Sequence, residues 1–287
     1  MASMRDIKRR KGSIQSTQQI TKAMKLVSTV KLQRARQNAE KAHDYFSCMY
    51  ETVTSILART TGMKHPYLEG GKNGKKAVVV MTSNRGLAGG YNSNMIKLVT
   101  GQFSKDEAVI YAVGKKGRDA FERQGYTVAF DASEMAEEPV YADAMQLSKN
   151  LLTAFVQGEI SEIYLAYTKF KNTVSHIPTL LQLLPVQMPE KDAALKEEEK
   201  AFAPMNFELE DEEALELLIP KYITSLLYGG LVEAAASENG ARMQAMDSAT
   251  GNAEEMISNL TLMYNRARQG SITQELTEII AGAGAIS

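Results

Sequence analysis

Apolar residues near the N-terminus recur at alternating spacings of three and four positions. This spacing is typical of a helix that buries one stripe of side chains against a partner. The stripe consists of Leu32, Ala35, Ala39, Ala42, Phe46, Met49, Val53 and Ile56. No proline and a single glycine, Gly12, occur between about Ser3 and Leu57. The pattern therefore predicts one uninterrupted helix, on the order of 80 Å long.

The register of this stripe continues upstream, where it meets mainly polar residues. These polar positions are Gln18, Thr21, Lys25 and Ser28. The apolar residues of the same stretch lie off the register, and they are Ile20, Met24, Leu26, Val27 and Val30. This pattern predicts that the first half of the helix is not a simple two-helix seam but is surrounded by other protein.

A second long helix is predicted from about Asp211 towards the C-terminus. Its apolar stripe also alternates spacings of three and four, and consists of Met246, Ala249, Ala253, Met256, Leu260, Met263 and Ala267. Pro220 falls early in this helix and is expected to kink or restart it. Glycines 229, 230, 240 and 251 each cost about 1 kcal/mol relative to alanine, so packing against a partner must offset them.

The residue pattern in the middle of the chain predicts strands that alternate with helices. Strands are predicted at 77–82, 108–113, 127–130 and 162–168, and helices at 92–103, 115–124 and 140–157. This order is typical of a mostly parallel sheet covered by helices. Segments 175–186 and 201–208 indicate further, antiparallel strands, and the acidic stretch 190–200 between them indicates an exposed loop.

The fold class that follows is α/β, with a long antiparallel coiled coil of N- and C-terminal helices and a central Rossmann-like α/β domain. Neither terminal helix can bury its stripe alone, and the simplest solution pairs them with each other. Residues 1–60 and 210–287 would form the discontinuous coiled coil, 75–209 the central domain and 61–74 a linker.

Charge and cysteine content narrow the possible functions. The net charge of −1 gives no overall attraction to nucleic acid or membranes, although residues 1–41 have a net charge of +9 and residues 190–216 one of −8. Cys48 is the single cysteine, so an internal disulfide is impossible. No run of about 18 apolar residues is present that would span a bilayer.

Two glycine-rich segments are candidates for phosphate binding. Residues 81–94 follow a strand and precede a helix, but Gly86, Gly89 and Gly90 lack the dinucleotide-binding spacing. Residues 70–76 resemble a P-loop, but they precede a strand and lack its Ser or Thr. We interpret these segments as a structural turn and a linker, and the scattered histidines predict neither a metal site nor a catalytic site. The residues alone leave open a nucleotide-dependent enzyme and a nucleic-acid-binding coiled coil.

The C-terminal segment 264–285 is helix-like and ends in small and apolar residues, including Ile279 and Ile280. A free terminus in water usually frays, whereas this composition suits a narrow apolar sleeve in a partner. Insertion into a partner is the functional prediction for this end, and a frayed terminus is the alternative.

Four segments resemble the gamma subunit of F-type ATP synthases, and the resemblance covers the whole chain in order. They are residues 20–28 (ITKAMKLVS), 83–92 (SNRGLAGGYN), 236–243 (ASENGARM) and 271–283 (SITQELTEIIAGA). Asn84 and Ala88 depart from the Asp and Cys of many members. The resemblance implies a central rotor stalk that couples ion-driven rotation of a membrane ring to ATP synthesis or hydrolysis at beta-subunit sites in an alpha/beta hexamer.

The resemblance also implies partners and contact residues. The hexamer would contact Met24, Arg242, Arg268, Gln269, Thr273, Glu275 and Ile279. A foot near Phe207 and Glu208 would meet the membrane ring of c subunits, beside the epsilon subunit. The chain itself would carry no catalytic site, cofactor, nucleic acid or small-molecule substrate. It would be a peripheral protein on the cytoplasmic side of a bacterial cell membrane, and the driving ion, H⁺ or Na⁺, is not determined by these residues.

Overall fold

A computed structural model describes residues 4–59, 65–71, 74–186 and 211–284 of the chain. The chain divides into two compact units, one with the residues up to Thr29 and from Arg242 onward, the other with Val30–Ala241. Residues 30–59 and 211–241, which were predicted to lie in the coiled coil, therefore belong to the unit that contains the sheet. The described residues include no helix that combines the length and apolar character needed to cross a bilayer.

Two long helices form the ends of the chain, as the heptad spacing predicts. Helix α1 spans Met4–Arg59. The last helix, α6, spans Asp211–Gly284, with Pro220 inside it. The expected restart at Pro220 is wrong, because the helix continues through this residue. Thr224 donates a hydrogen bond from its hydroxyl to the Pro220 carbonyl (2.8 Å).

The elements between the two long helices alternate as predicted. They are α2 (Pro66–Glu69), β1 (Lys75–Met81), α3 (Tyr91–Gln102), β2 (Ala108–Val113), α4 (Lys115–Arg123), β3 (Thr127–Asp131), α5 (Tyr141–Val156), β4 (Ile160–Phe170) and β5 (His176–Leu184). The short helix α2 lies in the segment expected to be a linker. The predicted strand 201–208 and loop 190–200 lie outside the described residues.

The five strands form one sheet in the order β3-β2-β1-β4-β5. Strands β1 to β4 pair in parallel, and β5 pairs antiparallel with β4 at the edge. The mostly parallel sheet and its antiparallel addition are both confirmed. The central strand β1 is buried on both faces, which explains its continuous apolar run rather than an alternating one.

Each face of the sheet has its own core. On one face, α3 and α4 contribute Met95, Val99 and Phe121, which pack with the β1 residues Val78 and Val80. On the other, α5 and the first part of α6 contribute a larger apolar set, Ala144, Leu147, Leu151, Ile219, Ile223, Leu227 and Leu231. Val53 of α1 joins this second core. The early part of α6 is therefore a core helix of the sheet-containing unit.

Two glycines allow α6 to lie close to the sheet. A Cβ on Gly230 would lie 3.0 Å from Leu165 Cδ2, and one on Gly240 would lie 2.6 Å from His176 Nε2. Glycine in a helix interior costs about 1 kcal/mol. The close approach explains why these two positions have no side chain.

Candidate interaction surface

Within the unit that contains both chain ends, the first part of α1 and the last part of α6 run antiparallel. Three side-chain contacts define the pairing: Gln18 Nε2 donates to Glu254 Oε1 (3.0 Å), the hydroxyls of Thr21 and Thr250 lie 2.8 Å apart, and Lys25 Nζ lies 2.5 Å from Asp247 Oδ1. From Gln18 to Lys25 the residue number rises by seven along α1, and from Glu254 to Asp247 it falls by seven along α6. Antiparallel pairing is thus established for this unit.

The polar residues of α1 lie in the seam between the two helices. Thr21 is 8% exposed and Ser28 is 2% exposed, and the register of Leu32 continues through them to Ile7. The polar positions of this stretch therefore do form a seam with α6, whereas the expectation that other protein surrounds the stretch stays a prediction. A hydrogen bond contributes only about 1 kcal/mol net, and an exposed ion pair such as Lys25–Asp247 contributes still less. These polar contacts therefore add little to the stability of the helix pair, and their main effect is to fix which residues of α1 lie opposite which residues of α6.

On α6 the seam uses different residues from those predicted. Met246, Ala253 and Leu260 are buried as expected, but Met256 and Met263 are 52% and 58% exposed. Their neighbours Ile257 and Tyr264 are half-buried instead. Both choices satisfy a spacing of three and four, so the apolar pattern alone does not distinguish them.

Adjacent residues of α6 provide a direct test of this seam. Ile257→Ala is expected to lower the free energy of unfolding by about 1–2 kcal/mol, because it removes half-buried methylene groups. Met256→Ala is expected to change it by less than about 0.5 kcal/mol, because this side chain faces solvent. Urea unfolding followed by helical circular dichroism measures both, and a larger loss in Met256→Ala would contradict the seam.

The outer side of the paired helices carries large apolar side chains in solvent. On α1 these are Ile20, Leu26 and Val27, which we call the outer apolar patch; each is about 60% exposed. On α6, Met256, Leu262 and Met263 are similarly exposed. Contiguous exposed apolar surface is typical of an interaction site. The seam of this unit therefore includes polar residues of α1, while large apolar residues lie outside it, which suits a helical pair enclosed by a partner.

A further apolar stripe occupies the end of α6. Ile272, Leu276, Ile279 and Ile280, which we call the tail stripe, lie on one helical face at spacings of four, three and one, and they are 48–70% exposed. The pairing register brings the first described turn of α1 level with the region of Ala267. From there α6 continues for almost five further turns, at about 3.6 residues per turn, past the described residues of α1. The tail stripe therefore remains uncovered within the described chain.

The structure brings the seven predicted hexamer-contact residues into the same unit. Met24 and Arg242 are half-buried, whereas Arg268, Gln269, Thr273, Glu275 and Ile279 are exposed on the end of α6. Thr273 donates its hydroxyl to the Gln269 carbonyl (2.9 Å). Phe207 and Glu208 lie outside the described residues. Leu262 was not among the predicted contact residues, and its exposure follows from its position away from the α6 stripe.

In the sheet-containing unit, the glycine-rich turn after β1 is held by the chain itself. Asn84 accepts a hydrogen bond from the Lys115 backbone N–H (3.0 Å) and donates one to the Ser133 carbonyl (2.8 Å). The Gly117 N–H donates to Thr82 Oγ1 (2.9 Å), and the Lys116 N–H donates to the Ser83 carbonyl (3.0 Å). These N–H groups begin α4, and their bonds join that helix to the turn. The bonding pattern favours a structural turn.

An ion-pair network lies beside this turn. Arg118 contacts Asp131 (2.7 Å) and Asp119 (2.8 Å), and Asp131 also accepts hydrogen bonds from Ser133. Burial acts to raise the pKa of Asp131, but the bonds from Ser133 and Arg118 outweigh it and hold that pKa below its usual value. The hydrogen bonds to Asp119 and Asp131 raise the pKa of Arg118. Each group has a structural partner, so the network joins α4 to the end of β3.

Known proteins resemble this chain along its whole length. The family model described as ATP synthase matches residues 3–286. An ATP synthase gamma chain of Lachnoclostridium phytofermentans is 64% identical over 294 residues, which cover the whole of both chains. A chain of Acetobacterium woodii named ATP synthase gamma chain, sodium ion specific, is 39% identical over 299 residues and covers 99% of each.

Solved structures share the fold at lower identity. The rotor of the Euglena gracilis mitochondrial ATP synthase matches with a TM-score of 0.63 and 18% identity, over 94% of this chain and 98% of that one. A chain of the central stalk and c-ring of the Tetrahymena thermophila mitochondrial ATP synthase matches with a TM-score of 0.57 and 23% identity, over 80% and 99%. Long terminal helices around a five-stranded sheet are thus an arrangement known from other proteins.

Proposed function

This chain belongs to the family of ATP synthase gamma chains and acts as the rotor, or central stalk, subunit of that enzyme; we propose that its paired helices engage the alpha/beta hexamer. The observation that carries this proposal is the tail stripe together with the outer apolar patch. Both are large apolar surfaces on helices that are already paired, and burying such surfaces against another protein is favourable.

The polar and ionic contacts of the interface would come from the predicted contact residues. Arg242 and Arg268 would make charge-assisted hydrogen bonds to acidic or carbonyl groups of the hexamer. Gln269, Thr273 and Glu275 would add polar contacts near the end of α6, and Met24 and Ile279 would add apolar ones. The assignment of these seven residues stays a prediction until each is tested in the complex.

Rotation of the paired helices can affect the surrounding subunits only if these helices present different surfaces on different sides. We call the paired helices the shaft. On α1 the outer apolar patch occupies one side, while the opposite side is the seam. A hexamer that surrounds these helices would therefore meet the outer apolar patch on one side and the outer face of α6, with Met256, Leu262 and Met263, on the other. Each orientation of the shaft would favour a different conformation of the facing beta subunit, which is the differential interaction that a change in nucleotide affinity requires. ATP chemistry would take place on the other chains.

The remaining partners follow from the same role. The sheet-containing unit would stand on the membrane ring of c subunits beside the epsilon subunit, with the foot near Phe207 and Glu208. The chain would then be a peripheral component on the cytoplasmic side of a bacterial membrane. The driving ion, H⁺ or Na⁺, would bind to other subunits of the complex, so the sodium specificity named for the Acetobacterium woodii relative does not decide it here.

Co-purification tests this function directly. The chain would be expressed together with the alpha and beta subunits of its own source, and the complex would be weighed by native mass spectrometry. We expect one copy of this chain per hexamer. If the alpha and beta subunits form a hexamer that does not bind this chain, even when the chain is in excess, the proposal is contradicted.

The enzyme alternative is tested on the isolated chain. Labelled ATP and NAD would be titrated by equilibrium dialysis, and we expect no saturable binding at micromolar ligand. Tight binding of either ligand would instead support a nucleotide site in the sheet-containing unit.

A further inference from the structure

A groove of about 600 Å³ lies in the sheet-containing unit between α5 and the early part of α6. Met145, Leu152 and Val156 form its apolar wall on α5, and Pro220 contributes from α6. Met145 and Val156 are 55% and 65% exposed, which is high for large apolar side chains. The volume lies within the range of roughly 300–1,000 Å³ that is typical of sites for small molecules.

A buried hydroxyl group lies in the lining of this groove. Ser148 is 2% exposed, and its Oγ has no hydrogen-bond partner among the described residues. Buried polar atoms in proteins are nearly always paired, so an unpaired one requires an explanation. A ligand that accepts a hydrogen bond from this hydroxyl would supply the missing partner.

Among the described residues, two charged groups line the groove, and both are basic. Lys149 lies on α5 and Lys221 lies on α6, so the two ammonium groups come from opposite walls, and both residues are exposed. The described lining residues include no carboxylate. Tyr67 also lines the groove, and burial and then the carboxylate of Glu216 raise the pKa of its phenol. The lining is therefore complementary to an anion on an apolar body.

We propose that this groove binds a free long-chain carboxylate, with its head group between Lys149 and Lys221 and its alkyl chain running from there along Leu152 and Val156. The alkyl chain would cover the exposed apolar wall, and the carboxylate would accept a hydrogen bond from Ser148 Oγ. Charge-assisted hydrogen bonds to two lysines give the head group its specificity. This site goes beyond the rotor function and does not depend on it.

Fluorescence titration of the full chain with cis-parinaric acid, below its micelle concentration, tests the proposal. We expect saturable binding at one site per chain. K149Q/K221Q is expected to weaken the affinity at least about tenfold, and K149R/K221R to retain it, because arginine preserves the charge. The corresponding long-chain alcohol is expected to bind at least about tenfold more weakly than the acid.

Matched controls separate this site from general effects of charge. K97Q/K171Q removes two exposed lysines that do not line the groove and is expected to change the affinity by less than about twofold. V156D places a carboxylate on the exposed apolar wall, and we expect it to abolish binding while circular dichroism shows an unchanged fold. An equal loss in K97Q/K171Q, no saturable binding, or binding only to micelles or anionic vesicles would each overturn the proposal.

Discussion

Replacing the four residues of the tail stripe with glutamine is expected to weaken binding of this chain to its hexamer more than about 100-fold. Burying an aliphatic side chain contributes about 1.5–3 kcal/mol, and about 2.7 kcal/mol in total already corresponds to a factor of 100. The substitutions are Ile272→Gln, Leu276→Gln, Ile279→Gln and Ile280→Gln. Glutamine retains good helix propensity, so the change acts on apolar surface rather than on the helix.

The isolated chain distinguishes loss of an interface from loss of structure. Because the tail stripe is exposed, the quadruple variant is expected to unfold at the same urea concentration as the parent chain. The control Q274A/E278A alters another face of the same turns, where Gln274 donates to Glu278 (2.9 Å), and we expect less than a tenfold effect on binding. Torque measured with a bead on the reconstituted rotor provides the functional readout. Unchanged affinity and torque in the quadruple variant would show that this stripe does not meet the hexamer.

Gly114→Ala is expected to destabilise the sheet-containing unit by about 3 kcal/mol or more. Gly114 joins β2 to α4 with φ of 103°, a conformation that residues with a Cβ rarely adopt. An added Cβ would lie 2.1 Å from the Thr82 carbonyl oxygen, so the end of β1 or the start of α4 must move. That movement would also disturb the hydrogen bond from the Gly117 N–H to Thr82 Oγ1.

A second glycine in the same unit provides the control. Gly101 lies inside α3, and a Cβ added there would meet no atom within 4 Å, so Gly101→Ala is expected to stabilise the unit by about 0.5–1 kcal/mol. Urea unfolding gives both values. Amide hydrogen exchange of peptides from β1 and β2 is expected to accelerate only in Gly114→Ala. Equal stability of the two variants would contradict the steric argument.

Local sequence patterns predict most of the fold because they record burial within single elements. The spacing from Leu32 onward predicts α1, and the apolar run of β1 predicts a strand of a sheet covered by helices. Strand β2 is predicted with its observed bounds, Ala108–Val113. The restart expected at Pro220 does not occur, because proline removes one backbone hydrogen bond while Ile219 and Ile223 on either side of it pack in the core.

The candidate interface was predictable only in part. The apolar end of α6 is visible in the sequence, because Ile279 and Ile280 precede a string of small residues. The groove beside α5 is not visible, because it requires Lys149 and Lys221, which are far apart in the chain, to line one cavity. The sequence likewise does not distinguish Ser148 from other helical serines. Only the structure shows that its hydroxyl is buried and has no hydrogen-bond partner among the described residues.

Two long helices, one before and one after the α/β segment of the chain, follow from the residue pattern alone, because periods of 3.6 and 2 are properties of each segment by itself. Which residues of those helices meet is settled only when the chain is folded. Met256 and Ile257 fit the same alternating spacing, and the pairing of Thr21 with Thr250 and of Lys25 with Asp247 turns Ile257 inward. The same pairing places Thr21 and Ser28 in the seam and leaves Ile20 and Val27 outside. The sequence of either helix alone does not determine this, because the register between two distant segments depends on contacts between them.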